Sequence, residues 1–373
     1  MNMEMEESVK KRSFKEFFAK YFLEGQKYRN NIVIVSEECD SFDLKIFKKY
    51  RKVLSFLIPF VISQFFWWCL AIKYDFFVLY KTLWELPTVL ILGATVAGIT
   101  GQGSGAIAFP IMTFVLHLSP ITGRDFSIAL QSIGMVCGTV SILLNNVKIQ
   151  WRAVIYQLIG ALPAVILAFA FLENLLTPST KKMIFVSLWS AFAISLYLLN
   201  TEKKRVTVSK IQHFSPWKAA ILIFSGFLGG LFTALTGSGV DICTFAVLTF
   251  VFRLSENFAA PSGIAMMAFV SQFCVFWRAA ILQEFDSLAL DYVKVCVPSV
   301  SLFVPLGSFL GSHFHRITIA FLVGVLEILA MAGFLATMPS LPLLLCSATV
   351  IVAGFLLFTV LGKIGTKLLQ KDT

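Results

Sequence analysis

Residues 217–252 read WKAAILIFSGFLGGLFTALTGSGVDICTFAVLTFVF. Only Lys218 and Asp241 in this run are charged. It is far longer than the roughly 20 apolar residues that cross a bilayer as one helix. It is also interrupted, at Thr236-Gly237-Ser238-Gly239. A second such run, residues 87–118, reads PTVLILGATVAGITGQGSGAIAFPIMTFVLHL and breaks at Gly101-Gln102-Gly103-Ser104-Gly105. Glycine accepts positive φ, so both runs can leave helical geometry there. Serine can then cap the half-helix that follows. Non-helical backbone at membrane depth persists only where it is buried in protein or lines a wet cavity.

The rest of the chain is membrane-like too. Of 373 residues, 57% are hydrophobic and 14% charged, and 38 are Phe. A soluble domain carries about 25% charge, so a water-soluble enzyme is excluded. Residues 1–52 hold 12 basic and 9 acidic side chains and form a charged tail. Within it Phe14, Phe17, Phe18, Tyr21 and Phe22 recur at helical spacing among lysines. This pattern fits an amphipathic helix on an anionic membrane surface or on the protein's own cytoplasmic face. The net charge of +10 reads as a topology signal, not a nucleic-acid site. The seven Cys and four His form no metal-binding or disulfide pattern, and no cofactor motif is present.

Eight uninterrupted apolar runs have spanning length: residues 53–72, 126–145, 152–172, 180–199, 259–282, 288–312, 317–337 and 342–361. The order "broken run, helix, helix, helix" occurs twice, with Gly103-Ser104-Gly105 placed 134 positions before Gly237-Ser238-Gly239. The expected organisation is a tail (1–52), an accessory span and loop (53–86), repeat 1 (87–200), a basic cytoplasmic linker (201–216), repeat 2 (217–337) and a last span with a short tail (338–373). Positive charge arbitrates between crossing and re-entry. With the N-terminus cytoplasmic and both broken runs crossing, Lys and Arg from residue 45 onward divide 13 inside to 11 outside. With both runs re-entrant they divide 17 to 7. The expected fold is therefore all-α and polytopic, with eight full spans, two glycine-broken hairpins and both termini cytoplasmic. Three crossings per unit make the repeat inverted, so the two tips approach each other from opposite sides.

Half-helix N-termini carry the positive end of the helix dipole and can hold a small anion. The candidate binding residues are Gly101, Gln102, Gly103, Ser104 and Gly105, and Thr236, Gly237, Ser238 and Gly239. Gln131, Ser132, Ser271 and Gln272, in the second span of each unit, either line the path or join helices by hydrogen bonds. Two structural hinges with no ligand are the plainer reading of the breaks. Asp241 fits a capping box with Ser238 or a proton-coupling carboxylate. Glu327 could relay protons or pair with a base such as Arg278. Arg278, near the outer end of its helix, is expected to snorkel to the interface.

Several segments resemble the sulfite exporter TauE/SafE family. They are residues 97–105 (AGITGQGSG) with Pro110 downstream, and residues 229–239 (GGLFTALTGSG). The polar turn 145–152 (NNVKIQWR) and the element 305–312 (PLGSFLGS) belong with them. The first unit departs from the family's P-x-G-x-x-x-G pattern, reading PAVILAF at 163–169. The resemblance implies transport of small sulfur-containing anions such as sulfite or organosulfonates, driven by protons or another coupling ion. A passive anion channel and a non-transporting membrane scaffold are the rival expectations.

Overall fold

The structure is a computed structural model describing residues 21–22, 42–101, 105–201, 207–311 and 313–372. Among these residues there are twelve α-helices longer than one turn: α1 Phe42–Tyr74, α2 Glu85–Thr100, α3 Gly105–Pro110, α4 Pro120–Leu144, α5 Trp151–Leu167, α6 Pro178–Thr201, α7 Pro216–Thr236, α8 Val240–Ala246, α9 Glu256–Phe276, α10 Ser287–Gly311, α11 Arg316–Ala336 and α12 Leu341–Asp372. π-turns extend α3 (Ile111–Val115), α5 (Ala168–Leu172), α8 (Val247–Val251) and α9 (Trp277–Ile281).

Each glycine break reverses the chain. A methyl group on Gly229 would lie 2.7 Å from Cα of Val240 and 3.2 Å from Cβ of Cys243. In a continuous helix residues 229 and 243 would stand about 21 Å apart. α8 therefore runs back along α7. In the same way Gly93 of α2 meets Ile107 of α3, with 3.1 Å from its added methyl to Ile107 Cγ2. The two turns open alike. Gly101 (φ 71°) and Gly237 (φ 85°) end their helices in the left-handed region. Their N–H groups donate to Ala97 O and Thr233 O.

Nine helices among the described residues are long and apolar enough to cross a membrane. Eight are the expected spans. The ninth is α7, the long arm of the second hairpin, whose 21 residues extend about 31 Å. Its returning arm, Val240–Val251, is much shorter. The long arm of the second hairpin is thus itself of spanning length, which the sequence reading of a re-entrant segment did not anticipate.

The duplication is plain in the backbone, and it corrects the expected register. The repeat is 136 residues, so Thr100-Gly101-Gln102-Gly103 matches Thr236-Gly237-Ser238-Gly239. Gly101 and Gly237 correspond, as do the left-handed His117 (φ 52°) and Arg253 (φ 53°). Leu116 N→Ile111 O and Leu118 N→Met112 O recur as Phe252 N→Val247 O and Leu254 N→Leu248 O. Ser119 and Ser255 precede α4 and α9. The 134-residue spacing aligned the wrong glycines because the first break carries an extra Ser-Gly.

The two units interlock. α10 packs along α2, and α5 along α7, while α4 and α9 pack on each other. Glycine allows the contact in both outer seams. A methyl on Gly307 would sit 2.1 Å from Thr95 O, and one on Gly226 2.1 Å from Gln157 O. The P-x-G-x-x-x-G element thus serves to seat α10 on the first hairpin. Apolar side chains of α1, α11 and α12, such as Phe65, Phe66, Ile328 and Leu345, are exposed, as a lipid-facing surface requires.

Of the amphipathic tail, Tyr21 and Phe22 are described; Phe14, Phe17 and Phe18 lie outside the described residues. Tyr21 O accepts from His315 N–H (3.0 Å) and from the Thr318 hydroxyl (3.2 Å). Phe22 meets Phe314 edge-on at 5.3 Å. This part of the tail sits on the α10–α11 turn of the protein itself.

Candidate functional site

The second hairpin tip is held from within. Thr236 Oγ1 lies 2.9 Å from Phe232 O and 2.8 Å from Ser238 O. The Ser238 hydroxyl lies 3.1 and 3.0 Å from the two Asp241 carboxylate oxygens. Gly239 N–H donates to Asp241 Oδ1 at 3.0 Å, and Val240 N–H to Thr233 Oγ1 at 2.9 Å. The α8 N-terminus already faces one anion, the Asp241 carboxylate, which has the geometry of a cap. The amide of Gly239, one of the expected binding residues, and that of its neighbour Val240 are both engaged.

Gln131, fully buried on α4, reaches across the repeats: its Nε2 donates to Gly237 O at 2.7 Å. Its Oε1 is buried without a hydrogen-bond partner among the described residues. The polar pairs of the two second helices meet, though not as equivalents. Gln272 Nε2 donates to Ser132 O at 2.7 Å. The Ser132 and Ser271 hydroxyls bond back to Ala129 O and Ala268 O, a habit of serine within helices.

The two tips converge on the second helices at equivalent places. Gly101 lies against Ala260, with 2.7 Å from its added methyl to Ala260 Cβ, and Gly237 lies against Arg124 and Ser127. Position 260 is the repeat partner of 124. A methyl on Gly263 would stand 3.6 Å from Gly101 O and 3.4 Å from Asp241 O, so both tips border one glycine of α9. Gln102, Gly103 and Ser104 lie outside the described residues, and Gly105 opens α3.

A model of the sulfite exporter TauE/SafE family matches residues 86–333. That interval runs from the first turn of α2 almost to the end of α11 and holds both hairpins and all six helices that follow them. The chain belongs to the sulfite exporter TauE/SafE family. It is an integral, multi-pass membrane protein of a transporter family. No curated protein and no solved structure matches it.

The rest of the polar interior of this TauE/SafE protein was harder to foresee. Arg278 does not snorkel: it is buried in a ring of charges with Asp125, Arg124 and Glu173. Asp125 Oδ1 lies 2.9 Å from Arg124 and Oδ2 3.0 Å from Arg278. Glu173 Oε1 lies 2.9 Å from Arg124 and Oε2 3.2 Å from Arg278. The Phe169 ring lies against both guanidiniums, 5.2 and 5.5 Å from its centroid. Each acid bridges both bases. In sequence the clue was the position of Arg124, Asp125, Glu173 and Arg278 at helix ends that the re-entrant topology places on one side. Glu327 of α11 is buried apart from this ring, and its Oε2 has no hydrogen-bond partner among the described residues. Among the described residues no group of three metal-type side chains assembles.

Proposed function

We propose that this chain is a secondary transporter that exports small sulfur-containing anions, sulfite or an organosulfonate, by alternating access around the two hairpin tips. The observation that carries this reading is the convergence of both tips on Gly263. Broken helices that meet within a membrane protein are a recurring architecture for substrate sites. The Gln131–Gly237 hydrogen bond links a helix of one repeat to the tip of the other. Rocking of one repeat against the other would have to break or carry this link.

The candidate cradle comprises Gly101 to Gly105 and Thr236 to Gly239, with Gln131, Ser132, Ser271 and Gln272 alongside. For coupling to protons, Glu327 is the stronger of the two acids. An acid inside a membrane span is a functional candidate by default, and Glu327 Oε2 has no hydrogen-bond partner among the described residues. Asp241 is instead engaged by the Ser238 hydroxyl and Gly239 N–H as part of the tip.

Purified protein in liposomes tests the reading. Sulfite, sulfate, thiosulfate, sulfoacetate and taurine are each offered as substrate, with and without a proton gradient. Saturable, gradient-dependent flux of at least one sulfur anion is expected. Flux that never saturates and ignores the gradient would make the protein a channel. Absence of both flux and thermal stabilisation by all five, with the fold intact, would leave a scaffold.

A further inference from the structure

We propose that Arg124 and Arg278 form a docking clamp for a sulfonate or sulfite group, and that Glu173 is its built-in occupant, displaced when the anion arrives. This rests on the reading of the protein as an anion transporter and names a station on the path.

The ring of four charges has one fixed acid and one removable acid. Asp125 is 0% exposed, follows Arg124 in sequence, and also accepts Asp286 N–H at 3.1 Å. Glu173 is 11% exposed. It stands on the three-residue helical turn Glu173–Leu175, between a π-turn and the extended Leu176. Beyond Glu173 lies Glu284, 67% exposed, 3.4 Å from Arg278 Nη1. The ring is therefore closed toward the protein by Asp125 and toward water by two acids on short or exposed segments.

The bases have capacity left over. Arg278 Nε is buried and has no hydrogen-bond partner among the described residues, and Arg124 Nη1 and Nη2 are held by ion pairs at 2.9 Å without a hydrogen bond of acceptable angle. A carboxylate has two oxygens and spends one on each arginine. A sulfonate or sulfite has three, and guanidinium forks suit such groups. An incoming anion could replace both Glu173 ion pairs and take up the donor left at Arg278 Nε. Lys181, also buried, is within electrostatic reach of all four ring members. The Phe169 face beneath both guanidiniums offers an apolar floor to the alkyl part of an organosulfonate.

The clamp also leads to the hairpin tip. Arg124 O would lie 2.9 Å from a methyl on Gly237. Arg124, Ser127 and Gln131 follow one face of α4 at i, i+3 and i+7, and Gln131 bonds Gly237 O. An anion released outward from the second tip along this face meets the clamp next.

The test is thermal stabilisation of the full chain by methanesulfonate and by sulfite, at constant ionic strength with chloride as control. Glu173→Gln removes the internal competitor, so half-maximal stabilisation should need at least tenfold less methanesulfonate than the wild type does. Arg278→Gln in the Glu173→Gln background should remove the effect. Glu173→Asp keeps a charge but is too short to bridge both bases, and should fall between; it serves if the Gln variant does not fold. Equal concentration dependence in wild type and both Glu173 variants would overturn the clamp. So would stabilisation that survives loss of Arg278. Saturable sulfite flux in the wild type together with either of those results would sink the clamp and keep the transporter. Absence of flux with the Glu173→Gln shift intact would do the reverse.

Discussion

The Gln131 side-chain amide and the Gly237 carbonyl are joined by a 2.7 Å hydrogen bond across 106 residues of sequence. It ties α4 of the first repeat to the tip of the second. Gly237 O is the kind of acceptor that a broken membrane helix leaves open. Gln131→Leu keeps volume and removes the donor. We expect a loss of about 1–3 kcal/mol, the cost of a buried polar group without a partner, read as a lowered thermal midpoint. Transport should fall more than stability does, because the tip loses its register against α4. A variant that transports normally would show the bond to be structural only.

Gly237→Ala tests the tip itself. The residue sits at φ 85°, and a methyl there would lie 2.7 Å from Ser127 Cβ and 2.9 Å from Arg124 O. Backbone strain of this kind costs about 1–3 kcal/mol before any clash. Gly226→Leu is the contrasting control, because it blocks the α5–α7 seam far from the tip. We expect Gly237→Ala to yield folded protein with little flux, and Gly226→Leu to fail in assembly. If both variants fail alike on size-exclusion chromatography, the scaffold reading gains.

Asp241 and Glu327 should separate. Asparagine can accept the same Ser238 and Gly239 hydrogen bonds, so Asp241→Asn is expected to keep both stability and gradient dependence. Asp241→Ala should lose about 1 kcal/mol, as a removed helix cap does. Glu327→Gln should leave flux down an anion gradient intact and abolish its response to a proton gradient. Gradient dependence lost in Asp241→Asn and retained in Glu327→Gln would reverse the two roles.

Which parts of this were readable in the sequence follows from where the signals lie. Spanning helices announce themselves by length and hydropathy, so α5, α6 and α9 to α11 are found within a few residues, while α4 starts six residues earlier than expected and α12 runs eleven residues further. The hairpins are legible because only glycine tolerates their turns, at Gly101 and Gly237. The register between them is less so. Ser104-Gly105 imitates Ser238-Gly239, and only the backbone pattern at His117 and Arg253 separates the two alignments. The ring of Arg124, Asp125, Glu173 and Arg278 joins four positions spread over 154 residues of sequence. Each looks, alone, like an ordinary charge at a helix end. Partnership between distant charges leaves no periodicity to read.

The lopsided placement of charge makes the final prediction, because the re-entrant topology assigns sides. Residues 207–216 carry Lys210 and follow the linker's Lys203, Lys204 and Arg205, so the re-entrant topology expects them on the cytoplasmic side. Glu284, 67% exposed, then belongs on the opposite side, because α9 runs between them. In a cysteine-free background, Lys210→Cys should react with a membrane-impermeant maleimide only after the membrane is opened. Glu284→Cys should react in intact cells. Labelling of both from outside would require one hairpin to cross fully, and the 21-residue α7 is the arm long enough to do so. That outcome would place both units in the same orientation and remove the inverted repeat on which the meeting of the two tips depends.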